Sequence, residues 1–434
     1  MNSKNILKYL ATAALVLNLN ATETYTVDEL IVQALENSPD LDISKSNFEA
    51  SKSRYDSAYG GYLPKVDFHG ALGKAGANDM SAASNDMIDY DVLLGKLSLK
   101  QIVYDFGKTG GSVDTFKYQT SSFEQKNIQD ISDKIASVKL AYYNVLKAIS
   151  LIIVQKENVK LNKAQLYRAQ KYFTAGIRTK IDVSDAQVSL IQAKLELRQA
   201  QYDLKLTYAK LDSTIGLTAL ENDYSVYAKE LDLNNLFSSL GAYPLDLKES
   251  ILYAYENRAE LKDKKVQIDV ATAQKREASS EYYPSFYFLG DYTRQEVDTK
   301  LQQFTPQNQW QATLNLDWNI YEGGTTSAHT QEQEINLNIS NAALINAKLL
   351  AKQDITYAYI NVNRNRDSVE LSQSLLSVSD EKFDQASKRY KHGLSDYIEL
   401  QQARQGYIDA KSTLVVNYYD YYRTVAELDN KIGK

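Results

Sequence analysis

The chain of 434 residues contains a long internal repeat. Residues 31–64 recur as residues 251–284, so that Asn37 and Pro64 correspond to Asn257 and Pro284 at a shift of 220. Later positions recur at a shift of 217; the matched pairs are Tyr104 and Tyr321, Gly107 and Gly324, Tyr142 and Tyr359, Gly176 and Gly393, and Gly216 and Gly433. A unit this long exceeds the about 20–50 residues of a solenoid repeat. We therefore expect two structural repeats, residues 22–230 and 231–434, that form one pseudo-symmetric object.

The N-terminus is typical of a secretory signal peptide. Lys4 and Lys8 precede a short apolar run that ends at Leu19-Asn20-Ala21, which has the small-residue character of a cleavage site. The run is about half of the roughly 20 apolar residues that a membrane-spanning helix needs. Residues 1–21 are thus predicted to be a signal peptide, and we expect no helical window after residue 22 to span a bilayer.

Composition and motifs exclude several classes of function. The absence of cysteine excludes disulfides, thiolate metal sites and thiol nucleophiles, and the net charge of −6 argues against nucleic acid as a partner. His69, His329 and His392 have no second ligand at metal spacing. The kinase-like triplet Asp105-Phe106-Gly107 lacks an accompanying glycine-rich loop, so we interpret it as a junction turn. We expect no enzyme activity, no metal and no cofactor.

Each repeat is predicted to contain one helical hairpin. Between Lys108 and about Tyr172 there is no proline, and apolar residues recur at spacings of three and four, which indicates a heptad seam. The seam residues are Ile128, Ile131, Ile135, Val138, Tyr142, Val145, Ile149 and Ile152, and a second line beside them comprises Leu140, Tyr143, Leu146 and Ile153. Glycine turns at Gly176 and Gly393 favour a return helix. The predicted hairpins therefore span 108–215 and 325–432.

A strand hairpin is predicted before each helical hairpin, at about 64–104 and about 284–321. Apolar residues there alternate with polar ones at a period of two. The apolar positions are Val66, Phe68, Leu72, Leu97, Leu99, Val103, Phe286, Phe288, Tyr292, Leu314, Leu316, Trp318 and Ile320. A soluble sandwich would turn its polar face to water, whereas a membrane barrel has the inverse arrangement.

Four strands cannot close a barrel and would leave two edges unpaired, so several copies must cooperate. Two chains would give about eight strands, whose interior is filled by side chains, whereas three would give about twelve, with room for water. A trimeric pore follows as a hypothesis. A secreted coiled-coil stalk or adhesin is the alternative; it explains the helices and the signal peptide but not the strands. The connector at 217–247 has no clear period and no predicted role.

Several motifs together resemble the TolC family of outer-membrane efflux and secretion channels, over essentially the whole mature chain. They are Asn37-Ser38-Pro39-Asp40-Leu41, Tyr104-Asp105-Phe106-Gly107, Tyr321-Glu322-Gly323-Gly324, Tyr172-Phe173-Thr174-Ala175-Gly176 and Arg389-Tyr390-Lys391-His392-Gly393. The resemblance implies an α+β membrane protein. Its helical hairpins would form a periplasmic helical barrel, and its four strands would contribute to a 12-stranded barrel of a homotrimer in the outer-membrane lipid. It also implies docking to a periplasmic adaptor protein and an inner-membrane pump, and export through an iris-like gate.

The resemblance also assigns roles to residues at the helical tips. A periplasmic gate is implied at Asp182, Asp185, Tyr390 and Glu399, with the Tyr390 hydroxyl bonded to the position of Asp182. Adaptor docking is implied at the turns, at Ala175, Gly176, Ile177, His392, Gly393 and Leu394. Two positions depart from the family pattern, because Ser395 replaces an arginine and Gln402 replaces an aspartate. The contacts that hold the gate shut are therefore expected to differ in detail.

Overall fold

Helices form most of the computed structural model, which describes residues 23–78, 87–217, 224–229, 231–298 and 307–434. The predicted signal peptide lies outside the described residues, as does part of the connector. In chain order the elements are β1 (Glu23–Tyr25), α1 (Val27–Asn37), α2 (Pro39–Tyr59), β2 (Lys65–Asn78), β3 (Met87–Tyr104), α3 (Lys108–Thr174), α4 (Lys180–Ile215), β4 (Tyr224–Val226), α5 (Leu247–Asn257), α6 (Ala259–Ser279), β5 (Ser285–Asp298), β6 (Gln307–Asp317), α7 (Thr325–Lys391) and α8 (Tyr397–Ile432).

The helices in matching positions of the two chain halves have equal lengths. Both α1 and α5 have 11 residues, and both α2 and α6 have 21. The long helices α3 and α7 each have 67 residues, and the return helices α4 and α8 each have 36. A long helix and a shorter one thus occupy each range predicted for a helical hairpin, 108–215 and 325–432, and each range follows a pair of strands in the chain.

The chain divides into two compact units. Unit 1 comprises Met1–Ser38, Lys134–Ala242 and Val362–Ala426, and unit 2 comprises Pro39–Asp133, Tyr243–Asn361 and Glu427–Lys434. Each unit thus combines segments from both halves of the sequence. The compact units do not coincide with the predicted repeats at 22–230 and 231–434, which stay a prediction about internal symmetry.

The core of unit 1 is built on the seam predicted for α3. Val138, Tyr142 and Val145 are buried together with Leu211 of α4 and Val415 of α8. Of the second predicted line, Leu146 is buried whereas Ile153 is exposed. A three-residue parallel pairing of β1 with β4 completes this unit, and the sequence did not predict it because so short a strand has no measurable period.

One expectation about α3 is wrong. Among the described residues, α3 is the one helix that is long and apolar enough to cross a membrane by length and composition. This differs from the prediction that no window after residue 22 could span a bilayer as a helix. Half of that window is buried inside the protein. Since the buried core of unit 1 includes Val138, Tyr142 and Val145 of this helix, we interpret α3 as a packed helix.

Unit 2 contains one antiparallel sheet with the strand order β2-β3-β5-β6. Its register aligns the predicted apolar residues on one face: Phe68 lies opposite Leu97, Leu97 opposite Tyr292, and Tyr292 opposite Trp310. Ser98, Asp291 and Gln311 lie opposite one another on the other face. The two-faced strands predicted from the sequence are confirmed, except that β6 ends at Asp317, so the predicted strand residues Trp318 and Ile320 lie beyond it. Strands β2 and β6 form the edges of the described sheet.

Close backbone approaches in unit 2 require glycine. A Cβ atom on Gly111 of α3 would lie 2.8 Å from the Glu277 backbone, which is too close for any larger residue without a shift. Arg276 secures this approach, because its Nη2 donates to the carbonyl oxygen of Gly110 at 2.8 Å.

The junction before α3 is the predicted turn. There Asp105 Oδ2 accepts the Thr109 N–H at 2.7 Å and so caps the helix.

Candidate functional site at the helical tips

The two turns that end the long helices have the same backbone geometry. Gly176 and Gly393 adopt φ values of 71° and 74°. The Ile177 N–H donates to the Tyr172 carbonyl at 2.9 Å, and the Leu394 N–H donates to the Arg389 carbonyl at 2.8 Å. A left-handed glycine followed by this hydrogen bond is the common C-terminal cap of a helix. The glycine turns predicted from the sequence are confirmed.

Asp182 belongs to the capping box at the start of α4, in which Thr179 is the N-cap residue. Its Oδ2 accepts hydrogen bonds from the N–H and the hydroxyl of Thr179, both at 2.9 Å, while the Thr179 hydroxyl accepts the Asp182 N–H in return. A carboxylate also interacts favourably with the positive end of the helix dipole. Asp185 lies one turn further along α4, and its side chain is exposed.

Glu399 interacts with a cation of its own hairpin. Its Oε1 lies 2.9 Å from Nη1 of Arg389, which is in the last turn of α7. Its N–H donates to Asp396 Oδ1 at 2.9 Å, so Asp396 caps the start of α8 as Thr179 caps the start of α4. Both side chains of the ion pair are substantially exposed, and such pairs contribute little to stability.

Tyr390 is the buried residue of the predicted gate, with only 1% of its surface exposed. Its ring lies 6.3 Å from that of Tyr172 and 6.4 Å from that of Tyr397, centroid to centroid. Tyr397 in turn donates to Ser189 Oγ of α4 at 3.1 Å. These rings, with Ala169, Ala186 and Leu400, form a small core beneath the turns.

The Tyr390 hydroxyl has no hydrogen-bond partner among the described residues. The expected bond from this hydroxyl to Asp182 is therefore not made in this structure, and Asp182 is engaged by Thr179 instead. Burial raises the pKa of Tyr390. The phenol is thus neutral at physiological pH, and its ring provides the contacts.

Arg178 occupies the space above this ring. Its Cζ lies 5.0 Å from the centroid of the Tyr390 ring, and its Nη2 donates to the carbonyl oxygen of Ser395 at 3.0 Å. The sequence offered one signal for it, since Arg178 stands two residues after Gly176 where the second turn has Ser395 two residues after Gly393. The position of Arg178 in the sequence does not indicate where its side chain points. The contact between the two hairpins was therefore not predicted.

The predicted docking residues are exposed at the turns. Ile177 is 66% exposed and Leu394 is 70% exposed, and a Cβ atom on Gly176 or Gly393 would meet nothing within 4 Å. Ala175 and His392 are exposed as well. Ile181 and Ile398, each four residues further on, are also exposed and were not predicted. Each turn therefore presents an exposed pair of aliphatic side chains at matching positions, Ile177 with Ile181 and Leu394 with Ile398.

Comparisons with known proteins all point to outer membrane proteins. The family described as "outer membrane efflux protein" matches residues 30–217 and 252–434. The outer membrane protein TolC of Vibrio cholerae is 22% identical over 435 residues, which are 99% of this chain and 95% of that protein. Protein CyaE of Bordetella pertussis is 21% identical over 390 residues, with 89% and 80% covered.

Solved structures share the fold at lower identity. A crystal structure of CusC superposes with a TM-score of 0.83 at 15% identity and covers 97% of this chain and 95% of that one. The CmeC outer membrane channel of Campylobacter jejuni gives a TM-score of 0.81 at 16% identity, with 94% and 85% covered.

Proposed function

The chain belongs to the outer membrane efflux protein family, the TolC homologues, and from this premise we propose that it is a homotrimeric channel-tunnel. It is located in the cell outer membrane and extends into the periplasm, as its homologues do. The family consists of transport channels, not enzymes. In our proposal, three copies enclose one conduit that carries substrates from the periplasm, or directly from an inner-membrane pump, to the cell exterior.

The two-faced sheet is the observation that carries this proposal. Phe68 is 76% exposed and Leu314 is 68% exposed on its apolar face. A sheet that exposes large apolar side chains along every strand is stable against lipid and unstable against water. Its polar face, with Asp291 and Gln311, suits a water-filled lumen. The edges β2 and β6 then need partners, because unpaired backbone groups are not tolerated within hydrocarbon.

Strand number favours three copies. Four strands per chain give twelve in a trimer. Eight strands enclose an interior that side chains fill, whereas a larger barrel leaves an aqueous channel. The tandem repeat supports this arrangement, since two similar halves per chain would give a helical barrel six similar hairpins. We therefore propose a 12-stranded barrel in the outer membrane and a helical barrel in the periplasm.

Exposed apolar flanks on the helices support lateral association of copies. Within unit 1, Val188, Ile191 and Leu195 of α4 are exposed, as are Leu371, Leu375 and Val378 of α7. Their spacings of three and four residues place each set on one side of its helix. Such flanks are typical of helices that pack against a partner. We propose that α4 of one copy packs against α7 of the next.

The tips are proposed as the periplasmic gate and as the docking site for an adaptor. Asp182, Asp185 and Glu399 place carboxylates around the turns, and Tyr390 lies beneath them. The aliphatic pairs Ile177 with Ile181 and Leu394 with Ile398 offer apolar contacts to an adaptor, which would couple the channel to a pump. Relatives are named as outer membrane proteins of toluene and antibiotic efflux pumps. Efflux coupled to such a pump is the role we propose for this chain.

Planar-bilayer recording of the detergent-purified full chain tests the proposal. We expect discrete conductance steps from a particle with the mass of three copies. A coiled-coil stalk would give no steps, and a monomeric or dimeric mass would contradict the trimer. A protein that stays soluble without detergent would contradict the membrane role of the sheet.

A further inference from the structure

Arg178 makes contacts that join the two helical hairpins of one chain. It belongs to the turn between α3 and α4, yet its guanidinium Nη2 donates to the Ser395 carbonyl oxygen, 3.0 Å away in the other turn. Its Cζ also lies 5.0 Å from the ring centroid of Tyr390, at the end of α7. One side chain thus holds two groups of the opposite hairpin, one by a charge-assisted hydrogen bond and one through a ring face.

Apart from the bond of the Tyr397 hydroxyl to Ser189 Oγ of α4, the other polar pairs described at the tips lie within one hairpin. Asp182 and Thr179 bond within the first hairpin, and Arg389 and Glu399 pair within the second. Either pair can persist while the hairpins separate. The Arg178 contacts cannot persist, because donor and acceptor belong to different hairpins.

Tyr390 contributes its ring to this contact and not its hydroxyl. The ring is enclosed by Tyr172, Tyr397 and Arg178, whereas the buried hydroxyl finds no partner within the part of the chain that the structure describes. A buried, unpaired hydroxyl costs free energy, and its removal is neutral or stabilising. A phenylalanine ring has the same negative face for the guanidinium.

We propose that Arg178 is a clamp that holds the two hairpin tips of each chain together in the closed state, by stacking on the Tyr390 ring and bonding to the Ser395 carbonyl. The clamp rests on the proposed channel function. It replaces the hydroxyl-to-carboxylate bond between Tyr390 and Asp182 that the family resemblance implied. Opening the tips requires both Arg178 contacts to break, and water then solvates the guanidinium without any covalent step.

The experiment is single-channel recording of the full-length trimer with Arg178→Gln, Tyr390→Phe and Tyr390→Leu. Arg178→Gln removes the positive charge and the planar guanidinium group. We therefore expect the ratio of open to closed states to rise about tenfold, equivalent to about 1.4 kcal/mol. Tyr390→Leu removes the ring and should act in the same direction. Tyr390→Phe keeps the ring, and we expect it to stay closed.

A charge-matched control is Lys180→Gln. Lys180 is exposed at the first residue of α4, two residues from Arg178, so its replacement changes net charge equally but not the clamp. We expect Arg178→Gln to open the channel and Lys180→Gln not to do so. The double variant Arg178→Gln with Tyr390→Leu should open little more than either single change, because both remove one interaction.

The outcomes separate the clamp from the channel function. No conductance from the unmodified trimer would contradict the proposed function itself. Conductance that responds to Asp182→Ala and Tyr390→Phe but not to Arg178→Gln would overturn the clamp and leave the channel standing. A second measurement guards against misfolding: the helical circular dichroism and the trimer mass of Arg178→Gln should match those of the unmodified protein.

Discussion

Left-handed backbone conformations occur in pairs along this chain. Each described residue with a positive φ has a counterpart 217 residues away that also has one; the pairs are Phe106 and Gly323, Gly107 and Gly324, Gly176 and Gly393, and Gly216 and Gly433. Phe106 is the one described residue other than glycine in this set. Its ring stacks on Tyr283 with centroids 4.9 Å apart, a contact that offsets part of the strain.

Gly216 and Gly176 allow strain and crowding to be separated. Both have a positive φ, but a Cβ atom on Gly216 would lie 2.5 Å from the Asn37 carbonyl oxygen, whereas one on Gly176 would meet nothing within 4 Å. We expect Gly176→Ala to lower the free energy of unfolding by about 1 kcal/mol. Gly216→Ala should lower it by about 2–4 kcal/mol, since the clash adds to the strain.

Urea denaturation of the detergent-solubilised protein, followed by helical circular dichroism, measures both losses. Equal losses for Gly216→Ala and Gly176→Ala would show that the contact of Gly216 with the end of α1 is not a tight one.

Tyr142 predicts an alkaline limit to stability. It is buried, its hydroxyl donates to the Tyr227 carbonyl at 3.0 Å, and burial raises its pKa to about 12. The unfolded chain loses this proton near pH 10. The stability that the neutral hydroxyl of Tyr142 contributes is therefore fully present below about pH 10 and is lost as the pH rises from about 10 to 12. The loss should reach up to about 2 kcal/mol once solvent screening of the ionised form is allowed for.

Denaturation between pH 9 and pH 12 measures this slope. We expect Tyr142→Phe to flatten it, at the cost of one hydrogen bond at neutral pH. Tyr167→Phe is the matched control, because that ring is 61% exposed. An unchanged slope in Tyr142→Phe would mean that other groups cause the alkaline loss.

At the residue scale, the sequence predicts positions that require a particular backbone conformation. It does not predict the hydrogen-bond partners of side chains that can reach several groups. The turn glycines were predictable because few other residues adopt a left-handed conformation at a helix end. The partner of Asp182 was not, since a threonine three residues earlier competes locally with a distant tyrosine. Nor was the direction of Arg178, whose side chain can reach several groups in each hairpin.

Among the elements, the sheet makes the sharpest prediction about the membrane. Leu314 and Thr313 are neighbours on β6 that point to opposite faces. An acidic residue on the lipid face costs about 2–4 kcal/mol at most, and much less in a wet lumen. We therefore expect Leu314→Asp to reduce the amount of protein inserted into outer membranes by about tenfold or more, while Thr313→Asp inserts normally.

Fractionation of cells, with the trimer quantified in the membrane pellet, checks this pair. If Thr313→Asp were the defective variant, the sheet would face the opposite way, with its apolar side inward as in a soluble sandwich.

Element boundaries were predictable wherever the hydrophobic period is long. The hairpin predicted over 325–432 is found at Thr325–Lys391 and Tyr397–Ile432, and the one predicted over 108–215 is found at Lys108–Thr174 and Lys180–Ile215. The connector could not be predicted, because its contacts are set by tertiary structure. Gln373 of α7, for example, accepts from the Phe237 N–H and donates to the Asn234 carbonyl oxygen.

At the scale of the whole molecule, the repeat predicts how copies pair. Within one chain, Ser98 of β3 lies opposite Asp291 of β5. Adding 217 to the first position and subtracting 220 from the second gives Asn315 of β6 and Ala71 of β2. If β6 pairs with β2 of the next copy as β3 pairs with β5, then Asn315 lies opposite Ala71 of the neighbouring copy.

Cysteine cross-linking tests this register without background, since the chain has no cysteine. The variant Asn315→Cys with Ala71→Cys should form covalent trimers under oxidation, seen on a non-reducing gel. Asn315→Cys with Asp67→Cys keeps both cysteines on the same face but displaces them by about 13 Å, at about 3.3 Å per residue, so it should stay monomeric on the gel. Cross-linking of the displaced pair instead would refute the register.

Unpaired strand edges would make a single copy of the chain prone to aggregation before it reaches the membrane. A single copy with β2 and β6 uncovered and an apolar sheet face toward water would adhere to other polypeptides with little selectivity. We expect such a chain to need an escort on its way to the bilayer, and in the proposed trimer ring closure has to accompany insertion. If three copies must meet as proposed, the yield of finished channels should rise more steeply than the rate of synthesis, and scarce copies should be degraded before they assemble.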